Sequence, residues 1–242
     1  MNKLYVVGIG PGEYDKMTLE AERVLKSCDV IAGYSVYVDL IKEHFPDKEY
    51  IVTGMRQEEV RCDMALKAAS QGKKTAVVCS GDAGVYGMAG LLMEMGVNYP
   101  DAEIKVVAGV TAALSGGAVL GSPLGHDFAV ISLSDLMIPW EKIEERLKFA
   151  AAADFAVCIY NPSSRKRRDY LQKACDMLME YKSAETVCGY VQNIGREGEN
   201  YKILSLLELR NTQVDMFTTV FIGNSQTKKI GNQMVTPRGY NI

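Results

Sequence analysis

The chain has 242 residues, 48% of them hydrophobic and 24% charged, with a formal net charge of −3 at pH 7. That length holds one large or two small cored domains, and the charge excludes the broad basic footprint of a nucleic-acid binder. The longest basic run, Arg165-Lys166-Arg167-Arg168, reads as a solvated helix start.

Met1-Asn2-Lys3 leads straight into LYVVGIG, too short for the apolar region of a signal peptide. No stretch approaches the roughly 18 apolar residues of a membrane span. The six cysteines include no CxxC pair, and the only histidines are His44 and His126. The expectation is a cytoplasmic protein with reduced thiols, no membrane or nucleic-acid partner and no resident metal site.

Strand and helix patterns alternate from the start. Leu4 to Ile9 reads as a strand ending in glycines, Met17 to Ser27 as a helix, and Asp29 to Ala32 as a short buried strand. Glu58 to Gln71 has helical composition, Thr75 to Cys79 is a strand, and Val85 to Met95 an apolar, methionine-rich helix. Ile104 to Val107 is another strand, followed by a small-residue helix over Thr111 to Leu120. This alternation predicts an α/β fold with a largely parallel sheet. In the second half Phe128 to Ser132 and Phe155 to Tyr160 read as strands, with a helix over Trp140 to Ala151 between them. A long helix is expected over Ser163 to Tyr181, then strands at Thr186 to Val191, Lys202 to Leu204 and Thr218 to Ile222. The pairing direction in this half is open, and a boundary between two lobes is placed near residues 115 to 124.

The glycine-rich turns carry the chemistry. Gly8-Ile9-Gly10-Pro11-Gly12 follows a strand, but the third position of a dinucleotide fingerprint is Glu13. Pro11 also lacks the N–H a pyrophosphate would want, and the second strand ends at Gly33-Tyr34 without the ribose-binding acid. Gly72-Lys73-Lys74-Thr75 lacks the upstream glycine of a P-loop. Ser80-Gly81-Asp82-Ala83-Gly84 sits at a strand's carboxyl end, where open sheets bind ligands. Asp82 there either accepts from a ligand amino group or caps the following helix. Thr111 caps the helix after Gly109, with Ser115 further along it, or the stretch simply packs helices closely through small residues. His126-Asp127 is the best acid/base candidate, against a structural histidine. Tyr160-Asn161-Pro162-Ser163 ends a strand at another site-forming edge, unless Asn161 only shapes the turn.

In order along the chain, GIGPG, SGDAGVYG, GVTAALSGGAVLGSPLGHDFAVISLSD, YNPSSRKR and GNSQTKKIGNQMVTPRGY resemble the tetrapyrrole (precorrin) methylase superfamily of S-adenosylmethionine-dependent methyltransferases. SPLGHDFAVISLSD with Pro139-Trp140, and YNPSSRKR, resemble the branch that methylates C17 of precorrin-3B or cobalt-factor III in cobalamin biosynthesis. The resemblance implies the class III methyltransferase fold, two α/β domains with a ligand cleft between them, and a homodimer. Residues 1–118 would line the tetrapyrrole cleft and residues 119–242 would complete the S-adenosylmethionine site. By motif, the cofactor contacts are Pro11, Ser80, Gly81, Asp82, Val85, Thr111, Ala112, Asn161 and Ile194, with Tyr160 adjacent. Ala83 stands where the superfamily often has proline, and Asn161 where it often has methionine.

The branch also contracts the macrocycle, extruding C20 as a C1–C19 bond forms, and this needs a proton moved at an oxygen substituent. His126 is the expected general acid/base, with Asp127, Ser132 or Ser134 assisting. Gly10, Arg56, Lys166 and Arg238 are the expected substrate contacts, the three cations meeting carboxylates. Cobalt would arrive inside the substrate. Alternatives are methylation at C11 or C20, a nicotinamide-dependent oxidoreductase, and a non-catalytic tetrapyrrole carrier.

Overall fold

The computed structural model describes residues 2–164 and 166–240, which fall into two compact units, Met1–Ala112 and Ala113–Ile242. In the first unit the elements run β1 (Asn2–Gly8), α1 (Leu19–Ser27), β2 (Val30–Tyr34), α2 (Ser35–Asp39), β3 (Glu49–Thr53), α3 (Glu58–Ser70), β4 (Thr75–Cys79), α4 (Ala89–Gly96) and β5 (Ala102–Val107). The five strands form one parallel sheet in the order β3-β2-β4-β1-β5.

The sheet is buried on both faces, as parallel sheets with helical crossovers are. Leu4 and Val6 of β1 and Val77 and Cys79 of β4 pack with Cys62, Ala65, Leu66 and Ala69 of α3. Val7, Ala76 and Val78 point the other way, into a cluster with Ala21 and Leu25 of α1. The strand period of two assigns alternate residues to the two clusters.

Two helices start later than the sequence suggests. Thr18 accepts the Ala21 N–H on its side-chain oxygen at 3.1 Å, so α1 begins at Leu19. Helix α4 begins at Ala89, because Asp82 captures the Gly84 and Val85 amides in a turn and Tyr86 has φ +54°. Strand β3 was not expected; it is a short, half-exposed edge strand.

The second unit opens with α5 (Ala112–Leu120), whose first residue still belongs to the first unit, then β6 (Gly121–Ser122), β7 (Phe128–Ser132), α6 (Trp140–Ala152), β8 (Ala156–Tyr160) and α7 (Tyr170–Leu178). It continues with β9 (Val187–Gln192), β10 (Asn200–Ser205), α8 (Leu206–Arg210), β11 (Thr218–Ile222), β12 (Lys228–Ile230) and β13 (Gln233–Val235). The main sheet is ordered β10-β9-β11-β8-β7. Only β7 and β8, joined through α6, pair in parallel within it. Ile143, Leu147, Ala150 and Ala151 of α6 and Leu171, Ala174, Cys175 and Leu178 of α7 form stripes that bury one face of this sheet. Helix α7 is much shorter than the expected Ser163 to Tyr181, because the residues after β8 are spent on a loop described below. A second, three-stranded sheet, β12-β13-β6, was not foreseen.

Candidate active site

In the first unit three loops meet at the carboxyl ends of the adjacent strands β4, β1 and β5. The loops after β1 and β4 exchange backbone hydrogen bonds: Gly10 N–H donates to Gly81 O at 3.0 Å and Gly81 N–H to Gly10 O at 2.7 Å. Gly10 and Gly81 have φ of +76° and +69°, a region that glycine enters without strain. The loop after β5 closes on the same point. A Cβ on Gly109 would lie 2.1 Å from Gly81 O, and one on Gly8 would lie 2.7 Å from both Gly109 N and Gly81 O. Three backbones therefore touch where no side chain fits.

Asp82 locks this junction. One carboxylate oxygen accepts from Gly84 N at 2.7 Å and Val85 N at 3.0 Å, and the other from Gly109 N at 2.9 Å. The helix-capping reading of Asp82 does not hold, because α4 begins only at Ala89; the carboxylate instead closes the turn at Gly84 and Val85 and ties in a second loop at Gly109. Pro11, Gly10 and Gly81 are buried, Ser80, Asp82, Thr111 and Ala112 half-buried, and Val85 exposed at the rim. Arg56 lies on the loop after β3, exposed, with φ +64°.

In the second unit the loops after β7 and β8 are cross-linked by polar side chains. The Asn161 amide donates to Ser132 Oγ at 2.9 Å, and Ser134 N–H donates to the same oxygen at 3.2 Å. Asn161 itself has φ +52°. Arg167 donates to Ser164 Oγ at 3.0 Å, Ser134 Oγ at 2.8 Å and Asp135 at 3.1 Å. Tyr170 O–H donates to the other Asp135 oxygen at 2.7 Å, and its ring packs on Trp140 with centroids 4.3 Å apart. The Asp135 carboxyl is held below the usual aspartate range, first by the Tyr170 hydroxyl and also by Arg167, against the upward push of burial. Tyr160 O–H accepts the Ala113 N–H at 2.7 Å, satisfying one of the open amides at the start of α5. Ile194 is buried, and its side chain fills the space a Cβ on Gly116 of α5 would need.

His126 and Asp127 are both exposed, and the imidazole makes no side-chain hydrogen bond among the described residues. The segment that carries them is nonetheless fixed. Thr236 O–H donates to Pro123 O at 2.6 Å, and its oxygen lies 2.8 Å from Thr227 Oγ1. Thr236 N–H donates to Ser122 O at 2.9 Å, and Thr236 O would lie 2.1 Å from a Cβ on Gly125. The structure places His126 beside this clamp and shows no contact of it with Ser132 or Ser134. Lys166 and Arg238 are exposed, and Arg165 lies outside the described residues.

The model of the Tetrapyrrole (Corrin/Porphyrin) Methylases family matches residues 3–210. The chain belongs to the tetrapyrrole methylase family. This methylase is 43% identical over 240 residues to a probable cobalt-factor III C(17)-methyltransferase of Salmonella typhimurium, covering 99% of this chain and 100% of that one. It is 35% identical over 246 residues to the precorrin-3B C(17)-methyltransferase of a Sinorhizobium species, covering 98% and 96%. The crystal structure of the methyltransferase CobJ superposes with a TM-score of 0.89 at 34% identity, covering 98% of this chain and 100% of that chain. The α/β architecture of this methylase is thus that of a solved tetrapyrrole methyltransferase.

Sequence reasoning passed over Arg167, which it read as part of a solvated basic run. Lys166 and Arg168 are exposed, but the Arg167 side chain is only 15% exposed. Ser164 is its one side-chain partner near in sequence; Asp135 and Ser134, which bury it, lie 32 and 33 residues away. Thr236 lies inside the ending GNSQTKKIGNQMVTPRGY, but no local pattern distinguishes it there.

Proposed function

We propose that this methylase transfers a methyl group from S-adenosylmethionine to C17 of cobalt-factor III or precorrin-3B, with contraction of the ring, in cobalamin biosynthesis. The observation that carries this reading is the end-to-end likeness to proteins named for that reaction, 43% and 35% identical over almost the whole of both chains.

The first unit's glycine junction fits the donor. Its loops approach through backbone alone, and a side chain at Gly8 or Gly109 would occupy the closest points of approach. S-adenosylmethionine, when bound, supplies a methyl group already activated by its sulfonium. Pro11, Ser80, Gly81, Asp82, Val85, Thr111 and Ala112 of the first unit are residues that would hold it. Alignment and exclusion of water are then the main tasks left to the chain. Arg56, Lys166 and Arg238 would meet carboxylates of the macrocycle. His126 would move the proton at the ring's oxygen substituent, with Asp127 or Ser132 assisting. The homodimer implied by the family resemblance is part of the same reading.

The test is turnover of methyl-labelled S-adenosylmethionine with cobalt-factor III and, separately, precorrin-3B, read by mass and absorbance. Gain of one methyl with a ring-contracted spectrum is expected, and the preferred substrate assigns the cobalt timing. Methyl gain without contraction would move the reaction to another position, such as C11 or C20. A His126→Ala variant with full turnover and an unchanged pH profile would remove His126 from the proton step.

A further inference from the structure

Arg61, on the first turn of α3, is 3% exposed. A buried guanidinium is normally paired with a carboxylate, because taking an unpaired charge out of water is costly. Here every partner is neutral. Nε–H donates to Thr53 Oγ1 at 2.8 Å, one terminal nitrogen to Gly54 O at 3.1 Å, and the other to Met88 Sδ at 3.1 Å. Among the described residues no carboxylate lies within ion-pairing distance of it.

Those three partners define what the side chain does. Thr53 ends β3, and Gly54 begins the loop that carries Arg56. The Gly54 N–H is in turn taken by the Gln57 side chain at 2.8 Å, so the turn is tied at both ends. Within it Arg56 is exposed and held at φ +64°, a conformation costly for a residue with a side chain unless its surroundings impose it. Met88 ends the loop after β4 that also carries Ser80 to Val85. One guanidinium therefore joins the β3 loop to the β4 loop, and its charge remains uncancelled next to an exposed arginine.

Resting on the methyltransferase reading above, we infer that Arg61 is a positioning residue for substrate recognition. It holds the β3 loop so that Arg56 is presented to a carboxylate of the tetrapyrrole, and its uncancelled charge adds to the attraction for that anion. A fork-shaped donor suits this task, since three acceptors in different directions are bound by one planar group. Lysine keeps the charge but not the fork.

The test is a cycle of Arg56→Gln, Arg61→Gln and the double variant, with Arg61→Lys alongside. KM for the tetrapyrrole should rise about tenfold in each single variant, the cost of a charge-assisted contact, while kcat falls less than threefold. The double variant should be no worse than R61Q alone, because Arg56 is already misplaced there. Tryptic cleavage after Arg56 should be faster in R61Q than in the parent protein, and intermediate in R61K. Additive KM effects, a parental KM in R61Q, or unchanged cleavage at Arg56 would overturn the inference. If R61Q does not fold, R61K with parental KM and parental cleavage overturns it. If the parent protein methylates neither tetrapyrrole, the substrate reading has failed and the recognition role falls with it. Cleavage at Arg56 then still decides whether Arg61 holds the loop.

Discussion

The Asp82 carboxylate accepts the Gly109 amide at 2.9 Å, joining loops 27 residues apart in the chain. Its other oxygen is occupied by Gly84 N and Val85 N, so both oxygens face only donors. An asparagine could satisfy one side but would turn an N–H₂ toward the other, setting donor against donor. D82N should lose about 1 kcal/mol of stability, the cost of setting the new N–H₂ against a donor that is half-buried at Gly109 or exposed at Gly84 and Val85. It should also bind S-adenosylhomocysteine at least about tenfold more weakly, since about 1.4 kcal/mol corresponds to tenfold. Urea unfolding and titration calorimetry read the two effects separately. Reduced stability with parental ligand affinity would detach this junction from donor binding.

Gly109 and Gly90 should respond to alanine in opposite directions. At Gly109 the added carbon would lie 2.1 Å from Gly81 O and 2.6 Å from Gly8 C and O, all backbone atoms that no rotamer change can move. G109A should cost about 3 kcal/mol or more, or fail to fold. Gly90 lies exposed in α4 with nothing within 4 Å of the new carbon. G90A should gain about 0.5–1 kcal/mol by restricting the unfolded chain. Thermal unfolding of both variants checks the contrast, and equal effects would mean that the junction is softer than its geometry implies.

The parallel sheet of the first unit was readable because β1 and β4 are apolar on both faces, as burial between helices demands. Strand β3 escaped because an edge strand with half-exposed residues carries no such pattern. Strands β12 and β13 escaped because each has only three residues, all exposed in β12 and with Met234 alone buried in β13. The glycine turns were visible as composition, yet their meeting at Gly8, Gly81 and Gly109 depends on the order in which strands line up. Arg61 and Arg167 look like surface charges on a helix and in a basic run. Their burial follows from contacts with Thr53, Met88, Ser134 and Asp135, which no local pattern encodes. His126 stood out by rarity alone, and the clamp on its segment reaches it from Thr236, 113 residues after Pro123.

Asp135 should make the second unit sensitive to acid. Its carboxyl is held below the ordinary aspartate value, first by the Tyr170 hydroxyl and also by Arg167. The unfolded chain therefore takes up a proton here at higher pH than the folded chain does. The stabilisation is complete above the ordinary aspartate value of about 4 and is lost as pH falls through the lower folded value. D135N should consequently show a shallower loss of stability between about pH 5 and pH 3 than the parent protein. Urea midpoints measured across that range for both proteins give the comparison. Parallel curves would mean that the Tyr170–Asp135–Arg167 network does not persist in solution.

The six cysteines should be silent in the native protein and report its opening. All six are buried and unpaired. Burial pushes the thiols of Cys28 and Cys79 up to about 11, and those of Cys62 and Cys175 up to about 12. It pushes Cys158 and Cys188, inside strands β8 and β9, higher still. Only the thiolate attacks a disulfide reagent, so at pH 8 the folded chain should react slowly and release all six equivalents on denaturation. The order of labelling is also set. Cys28 closes α1, and the charges of Lys74 and Lys48 partly offset its burial, whereas no lysine or arginine offsets that of Cys158. Peptide mapping after brief alkylation should find Cys28 modified before Cys158 and Cys188. Early modification of Cys158 would require the interior of the second unit's main sheet to open before the end of α1 does, against the burial of β8 between its neighbours β7 and β11.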